Sequence, residues 1–221
     1  MTARVKLKLS VSKIIQFFDH KIIIKMDCHK LKFFIDIVFI TSEKIFSKFN
    51  ILLLLYIDNY MESIQNEIQL ANISGNHKIL NMGCGSIPAT CILIAKETNA
   101  KITGIDKNLK SVKCAKIIIS KLKLDDKVEI KHSDAMNFQL NDFDIIIIAN
   151  GINPYYDVLE HVAKNMKDDA IVIFRTFSHC KGELASKDYF LNNLFILGKI
   201  TSHKKSSSLI SVLLYKKRKK N

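Results

Sequence analysis

The chain has 221 residues, 48% of them hydrophobic, enough for one large domain, or a domain with a small cap, around a sizeable core. Its formal charge is +13, but the lysines are spread along the whole chain, with one dense run at Lys216–Lys220, and this diffuse pattern disfavours a nucleic-acid partner. Five cysteines, an odd count with no Cys-x-x-Cys pair, argue against a disulfide or zinc framework and suit free thiols in a reducing, cytoplasmic setting.

The first 72 residues contain no glycine and no proline. Ser12–Ile24 and Cys28–Phe49 carry apolar residues at mixed three- and four-residue spacings and are expected to be helical, although the β-branched stretch Lys21–Lys25 also suits extended chain. The apolar runs Phe33–Ile40 and Ile51–Ile57 are too short to span a bilayer, and no signal-peptide order precedes them, so no membrane role is expected. Asp58–Asn72 reads as a clearer helix, with Met61, Ile64, Ile68 and Ala71 on one face. Ser74-Gly75-Asn76 ends it and marks a boundary between a helical cap or substrate domain (1–72) and a second domain (73–221).

The second domain alternates strand and helix. Strands are expected at Lys78–Met82, Lys101–Ile105, Val128–Lys131, Phe143–Ala149 and Ile171–Phe174, and helices at Pro88–Thr98, Leu109–Lys123 and Tyr155–Asn165. The run of isoleucines after Asp144 fits a strand buried on both faces. Leu194–His203 and Leu209–Lys216 flank a lysine- and serine-rich turn and read as an antiparallel hairpin. The expected fold is therefore α/β: a Rossmann-like class I methyltransferase sheet, parallel with a terminal antiparallel hairpin, behind a small helical domain.

The chemistry centres on Gly83-Cys84-Gly85, which follows the first strand and precedes a helix that starts at a proline. Glycine at such a turn lets the backbone approach a ligand closely, with turn amides and the helix N-terminus facing it. The third glycine of the dinucleotide pattern is absent, since Ile87 and Pro88 occupy its neighbourhood. That disfavours a pyrophosphate and favours S-adenosylmethionine. Asp106 ends the second strand about 20 residues after Gly85, where a carboxylate can accept both ribose hydroxyls; the alternative is a helix cap. Asp134, after the third strand, could accept the adenine amino group or close an Asx turn. Asn150 and Gly151 end the fourth strand at the edge where ligands of open α/β sheets lie. Asn153-Pro154-Tyr155-Tyr156 imitates an amino-methyltransferase signature, but three residues late, and Pro154 reads as a helix start. Cys84 reads as a small filler in the turn, and His132, His161 and His179 give no metal spacing, so no metal is expected in catalysis.

Several motifs in one order resemble the nicotianamine synthase family. Gly83-Cys-Gly85-Ser-Ile-Pro88-Ala-Thr90 is similar to its Gly-x-Gly-Pro-Leu-Pro-Leu-Thr turn, with departures at Ser86 and Ala89. Asn59-Tyr60 and Glu67 resemble its Asn-Tyr followed by Glu. Val158-Leu-Glu-His-Val162 and Phe174-Arg175-Thr176 resemble its downstream segments, so the likeness covers roughly residues 58–180. The resemblance implies transfer of the 3-amino-3-carboxypropyl group of S-adenosylmethionine to an amine, with methylthioadenosine leaving, in the synthesis of a small metal chelator.

It also implies roles. Tyr60 matches the family's tyrosine that holds the reacting groups, and Glu67 falls on the substrate side. Glu43, in Ser42-Glu-Lys-Ile-Phe-Ser47, resembles the stretch carrying the family's catalytic base, nearer to Tyr60 than in the family; a solvated helix position is its alternative. Arg175 is either a clamp for a substrate carboxylate or an ion-pair partner. The expected acceptor is a small amino acid such as glutamate, or an aminocarboxypropyl intermediate, which a lysine-rich face would suit. Assembly as a homodimer is left open. The competing function is an S-adenosylmethionine-dependent methyltransferase acting on a small molecule or RNA.

Overall fold

The computed structural model describes residues 50–177, 188–203 and 206–217. The expected helices Ser12–Ile24 and Cys28–Phe49, with Glu43, lie outside the described residues, as do His179 and Cys180.

Helix α1 runs Asn50–Leu70, beginning earlier than the expected Asp58. The reason is one continuous stripe: Leu53, Tyr56, Ile57, Ile64 and Ala71 are all buried, and Tyr60 and Ile68 pack beside them. Ile51–Ile57, read from sequence only as an apolar run, is thus the first half of the same amphipathic helix. It ends in a Schellman arrangement: Asn72 takes a φ of 51°, its amide donates to Gln69 C=O, and Ile73 N–H donates to Ile68 C=O at 2.9 Å.

The sheet follows as β1 (Lys78–Met82), α2 (Ala89–Thr98), β2 (Lys101–Asp106), α3 (Leu109–Lys121), β3 (Val128–His132), β4 (Ile145–Ile148), α4 (Tyr155–Asn165), β5 (Ile171–Phe177), α5 (Asp188–Leu194), β6 (Phe195–His203) and β7 (Ser206–Lys216). Its seven strands lie in the order β3-β2-β1-β4-β5-β7-β6. The first five are parallel, while β7 runs antiparallel to both β5 and β6. Helix α5 was not anticipated. The hairpin is tighter than expected, because β7 begins at Ser206 within the lysine- and serine-rich stretch.

Two clusters form the core, one on each face of the sheet. α1, α2 and α3 cover one face, with Ile64, Cys91, Ile92, Ala115 and Ile118 meeting Ile79, Ile147 and Ile173. α4 and α5 cover the other, where Leu159, Val162 and Leu191 meet Leu80, Ile146 and Val172. All four isoleucines of β4 are buried, because that strand is sandwiched between the two layers. Gly104 on β2 lets α2 lie close, since a Cβ there would sit 2.8 Å from Ile130 Cδ1 and 3.0 Å from Cys91 Sγ. The described part of the N-terminal region, α1, therefore shares its core with the sheet.

Candidate active site

Strand order reverses between β1 and β4, which opens a crevice at their carboxyl ends. The glycine turn sits there. Gly83 and Gly85 take φ values of 74° and 70°, a region other residues resist. Gly83 also abuts the loop after β4, since a Cβ on it would lie 3.1 Å from Ile152 Cγ1.

The turn's donors point inward. The amides of Gly83 and Cys84 donate to Ile105 C=O at 2.9 and 3.0 Å, and Ala89 N–H donates to Ile87 C=O at 2.8 Å. Gly85 N–H donates to Asp106 Oδ2 at 3.0 Å. This corrects the expectation that these amides face a ligand. With these four satisfied inside the protein, they are not available to a phosphate. What the turn presents instead is a carboxylate. Asp106 Oδ1 accepts Asn108 N–H at 2.8 Å, so both carboxylate oxygens are oriented by backbone, and each keeps a lone pair for a further donor. The cap of α3 is not Asp106 but Asn108, whose Oδ1 accepts the amides of Lys110 and Ser111. Ser86 Oγ donates to Ser111 Oγ at 3.1 Å and ties the turn to that helix.

The other expected cofactor residues follow the carboxyl ends of β3 and β4. Asp134 is exposed and closes an Asx turn, its Oδ1 accepting Met136 N–H at 2.9 Å. Asn150 is half-buried in the turn after β4. Lys107 Nζ reaches across to Asn153 C=O at 3.3 Å and links the end of β2 to that loop. Asn153 itself is exposed and precedes Pro154 at the start of α4. Cys84 is buried in the turn, its Sγ 3.8 Å from Gly85 C=O, and behaves as the small filler expected. Among the described residues no cluster of His, Cys, Asp and Glu could hold a metal ion. His132 and His161 instead bond the carbonyls of Lys107 and Phe138.

Beside the turn, on the α1 and α2 face, lies a buried ionic cluster. Glu67 has no exposed surface. Arg175, from the end of β5, meets it in a fork: Nε donates to Oε1 at 2.7 Å and Nη2 to Oε2 at 2.6 Å. Ser211 Oγ, on β7, also donates to Glu67 Oε1, at 2.6 Å. Arg175 Nη1 donates to Thr90 Oγ1 at 2.9 Å, in the first turn of α2. Burial works against the Arg175 charge, but the charge and hydrogen bonds of Glu67, aided by Tyr60 and Cys91, outweigh it and hold its proton more tightly than usual. Glu67 and Arg175, both expected at the substrate, are thus each other's partners, the ion-pair alternative for Arg175.

Tyr60 lies two turns before Glu67 on α1, and its hydroxyl is 3.1 Å from that of Tyr56. Their ring centroids are 5.1 Å apart. Behind the cluster, burial pushes the Cys91 thiol up to about 12, against the pull of Arg175 and of a hydrogen bond from Asn81. Asn81 Oδ1 is a buried side-chain acceptor with no partner among the described residues.

Sequence reasoning quoted Thr90 only as part of a motif and missed Ser211, Tyr56 and Asn108. For Ser211 there was a signal: it is a lone serine inside the apolar run Leu209–Leu214 of a strand packed on both sides. A hydroxyl there needs a partner, because a buried unpaired one is costly.

Known proteins resemble this chain in sequence and fold. L-histidine 2-aminobutanoyltransferase of Pseudomonas aeruginosa is 25% identical over 128 residues, covering 58% of this chain and 49% of that protein. The chain therefore spans about half the length of this curated relative. A crystal structure of MtNAS in complex with MTA and tNA superposes with a TM-score of 0.69 at 18% identity, covering 81% of this chain and 70% of that one. A mutant of MtNAS in complex with S-adenosylmethionine gives a TM-score of 0.73 at 15% identity, over 97% of this chain and 92% of that one. These two likenesses establish the class I methyltransferase-like fold. The family model described as nicotianamine synthase protein matches residues 34–194, most of the chain, and this chain belongs to the nicotianamine synthase family.

Proposed function

We propose that this chain is an S-adenosylmethionine-dependent transferase that moves a 3-amino-3-carboxypropyl group to the amine of a small acceptor and releases methylthioadenosine. The observation that carries the reading is the link from the Tyr60 helix to the cofactor turn. Glu67 on α1, Arg175 on β5 and Thr90 at the start of α2 form one chain of hydrogen bonds. Binding S-adenosylmethionine alone requires only the sheet and its turn; here a helix outside that unit is keyed to it, with a tyrosine on the keyed face. The activity of the Pseudomonas relative, and the ligands of the two MtNAS structures, support the same reaction class.

The residues present fit the donor. Asp106, oriented by two backbone amides, has lone pairs for both ribose hydroxyls. Asp134 keeps its second carboxylate oxygen for the adenine amino group, and Asn150 lines the crevice between them. S-adenosylmethionine would supply a sulfonium whose γ-carbon an amine can attack, the new C–N bond forming as the C–S bond to methylthioadenosine breaks. The protein selects that carbon by placement, with Tyr60 holding the acceptor amine opposite the turn. A carboxylate base keeps the amine neutral, and Glu43 is assigned that role. Residues 1–72 then form the acceptor side and residues 73–221 the donor side. Glutamate or an aminocarboxypropyl intermediate suits the lysine-rich surface, the product is a small chelator of the metallophore kind, and no metal takes part in the transfer. The odd cysteine count with no Cys-x-x-Cys pair suits a cytoplasmic setting. No described helix is long and apolar enough to cross a membrane.

Incubation with S-adenosylmethionine and glutamate, followed by product analysis, is expected to yield methylthioadenosine. Glu43→Gln should lower turnover and leave S-adenosylmethionine affinity intact. Release of S-adenosylhomocysteine alone would sink the reading and make the protein a methyltransferase.

A further inference from the structure

A carboxylate in the middle of a buried helical stripe is unusual. α1 presents Leu53, Tyr56, Tyr60, Ile64, Glu67 and Ala71 toward the sheet, and Glu67 is the one charged residue among them. Desolvating it demands strong partners. They come from three different elements: Arg175 from β5, Ser211 from β7 and, through Arg175, Thr90 from α2. None of these bonds is made by a neighbour in sequence, so together they fix the rotation and height of α1 against the sheet. A one-residue slip of α1 would turn Glu67 by about 100° away from the fork and bury an unpaired guanidinium.

Tyr60, the proposed acceptor-holding tyrosine, stands two turns before Glu67 on the same buried face of α1. Tyr60 also shares a hydroxyl contact of 3.1 Å with Tyr56, which the same stripe holds in place. The position of the helix, and with it that of the Tyr60 hydroxyl, is therefore set from Glu67 and Arg175.

We propose that Thr90 and Ser211 are positioning residues that lock the Glu67–Arg175 fork and through it set the placement of Tyr60 relative to the glycine turn. This rests on the transferase reading above and deepens it. Thr90 is the informative member, since it stands on the first turn of the helix that leaves the cofactor loop. Its hydroxyl accepts from Arg175, whose fork in turn crosses to Glu67 on the acceptor side. Ser211, from the terminal hairpin, donates to Glu67 directly.

The test uses the full chain with 13Cζ-tyrosine labelling, and Tyr60→Phe identifies the Tyr60 resonance. Thr90→Val replaces the hydroxyl with a methyl of similar size, and Thr90→Ser keeps it. Thr90→Val and Ser211→Ala are each expected to move the Tyr60 resonance. Each should lower kcat for methylthioadenosine release on the order of tenfold, the loss of one hydrogen bond to a charged group, with KM for S-adenosylmethionine unchanged. Thr90→Ser should match the wild type in both. An unmoved Tyr60 resonance in the folded variants overturns the proposal, whether or not kcat falls. If Thr90→Val does not fold, Ser211→Ala, the smaller change, decides. If the wild-type protein releases S-adenosylhomocysteine instead, the reaction reading fails, and the resonance alone judges the positioning.

Discussion

The two faces of the sheet are built on different principles. The α4 and α5 face is an apolar cluster, filled by residues such as Leu159, Val162, Ile146 and Phe195. The α1, α2 and α3 face contains Glu67, Asn81, Ser86, Thr90 and Ser211 among its buried groups. Area burial holds the first face, and any well-shaped hydrophobe would serve there. Specific partners hold the second, and a change of partner is penalised more than a change of shape. The polar face is also the one that carries Tyr60 and looks toward the glycine turn. A protein that needs only stability would gain by replacing a buried ion pair with apolar residues. Its retention beside the crevice fits a task of placement.

This contrast can be broken by mutation. Glu67→Ala should cost about 3–5 kcal/mol, because it strands the Arg175 charge in the interior. Leu159→Ala on the opposite face should cost about 2–5 kcal/mol from its cavity. Urea unfolding would separate them by repair: adding Arg175→Met to Glu67→Ala should recover much of the loss, whereas no second substitution that removes atoms can repair the cavity at Leu159. If the double variant is no more stable than Glu67→Ala, the stranded charge is not the cause.

Asp106→Ala sharpens the donor side. Calorimetric titration should show S-adenosylmethionine binding weakened on the order of 2–4 kcal/mol, two hydrogen bonds to a charged group. Unchanged affinity removes the ribose assignment.

A smaller effect is expected at the base of the sheet, far from the polar face. Asp144 accepts Lys78 N–H and pairs with Lys167 at 2.7 Å. Burial raises its carboxyl, but the Lys167 hydrogen bond, the Lys78 amide and nearby positive charge lower it further, so the net direction is down. Lys167 is shifted up, by its hydrogen bond to Asp144 ahead of the opposing burial. A depressed carboxyl stabilises the fold above the unfolded value of about 3.9 and loses that as pH falls through the folded value. A raised lysine stabilises below about 10.4 and loses that as pH rises through its folded value. Asp144→Asn should therefore cost under about 1 kcal/mol at neutral pH, given partial exposure of the pair, and the difference from wild type should vanish in acid. The smallest expected effect is chemical. Cys91, with its thiol near 12, should resist alkylation at neutral pH until unfolding, while the half-buried Cys114 reacts before it, as mass-spectrometric mapping would show.

Most of the donor half was legible in advance. Strands β1 to β5 and the three helices between them were found within a few residues, because a two-residue or 3.6-residue period needs no knowledge of partners. Asp106 was placed at the end of the second strand because the strand–turn–helix–strand spacing is local. The capping alternative failed for a local reason too: Asn108, two residues on, caps better because it can sit outside the helix with its oxygen over the free amides. α1 was found only from Asp58, since the leucine-rich half before it carries no polar face to reveal its period. Helix α5 was missed altogether, being a single short stretch between segments without clear pattern. The turn amides were expected to face the ligand, and only the bond from Gly85 to Asp106 shows where that donor goes.

Glu67 and Arg175 mark the boundary between the two kinds of knowledge. Sequence alone determined the fold class, the glycine turn, the carboxylate after β2 and the presence of a tyrosine and a glutamate two helical turns apart. These depend on periods and spacings within a few tens of residues. That Glu67 and Arg175, 108 positions apart, close on each other, with Ser211 and Thr90 completing the fork, was decided only by tertiary structure. A buried charge takes whichever opposite charge the packing of distant elements brings within reach, and no local pattern records that choice.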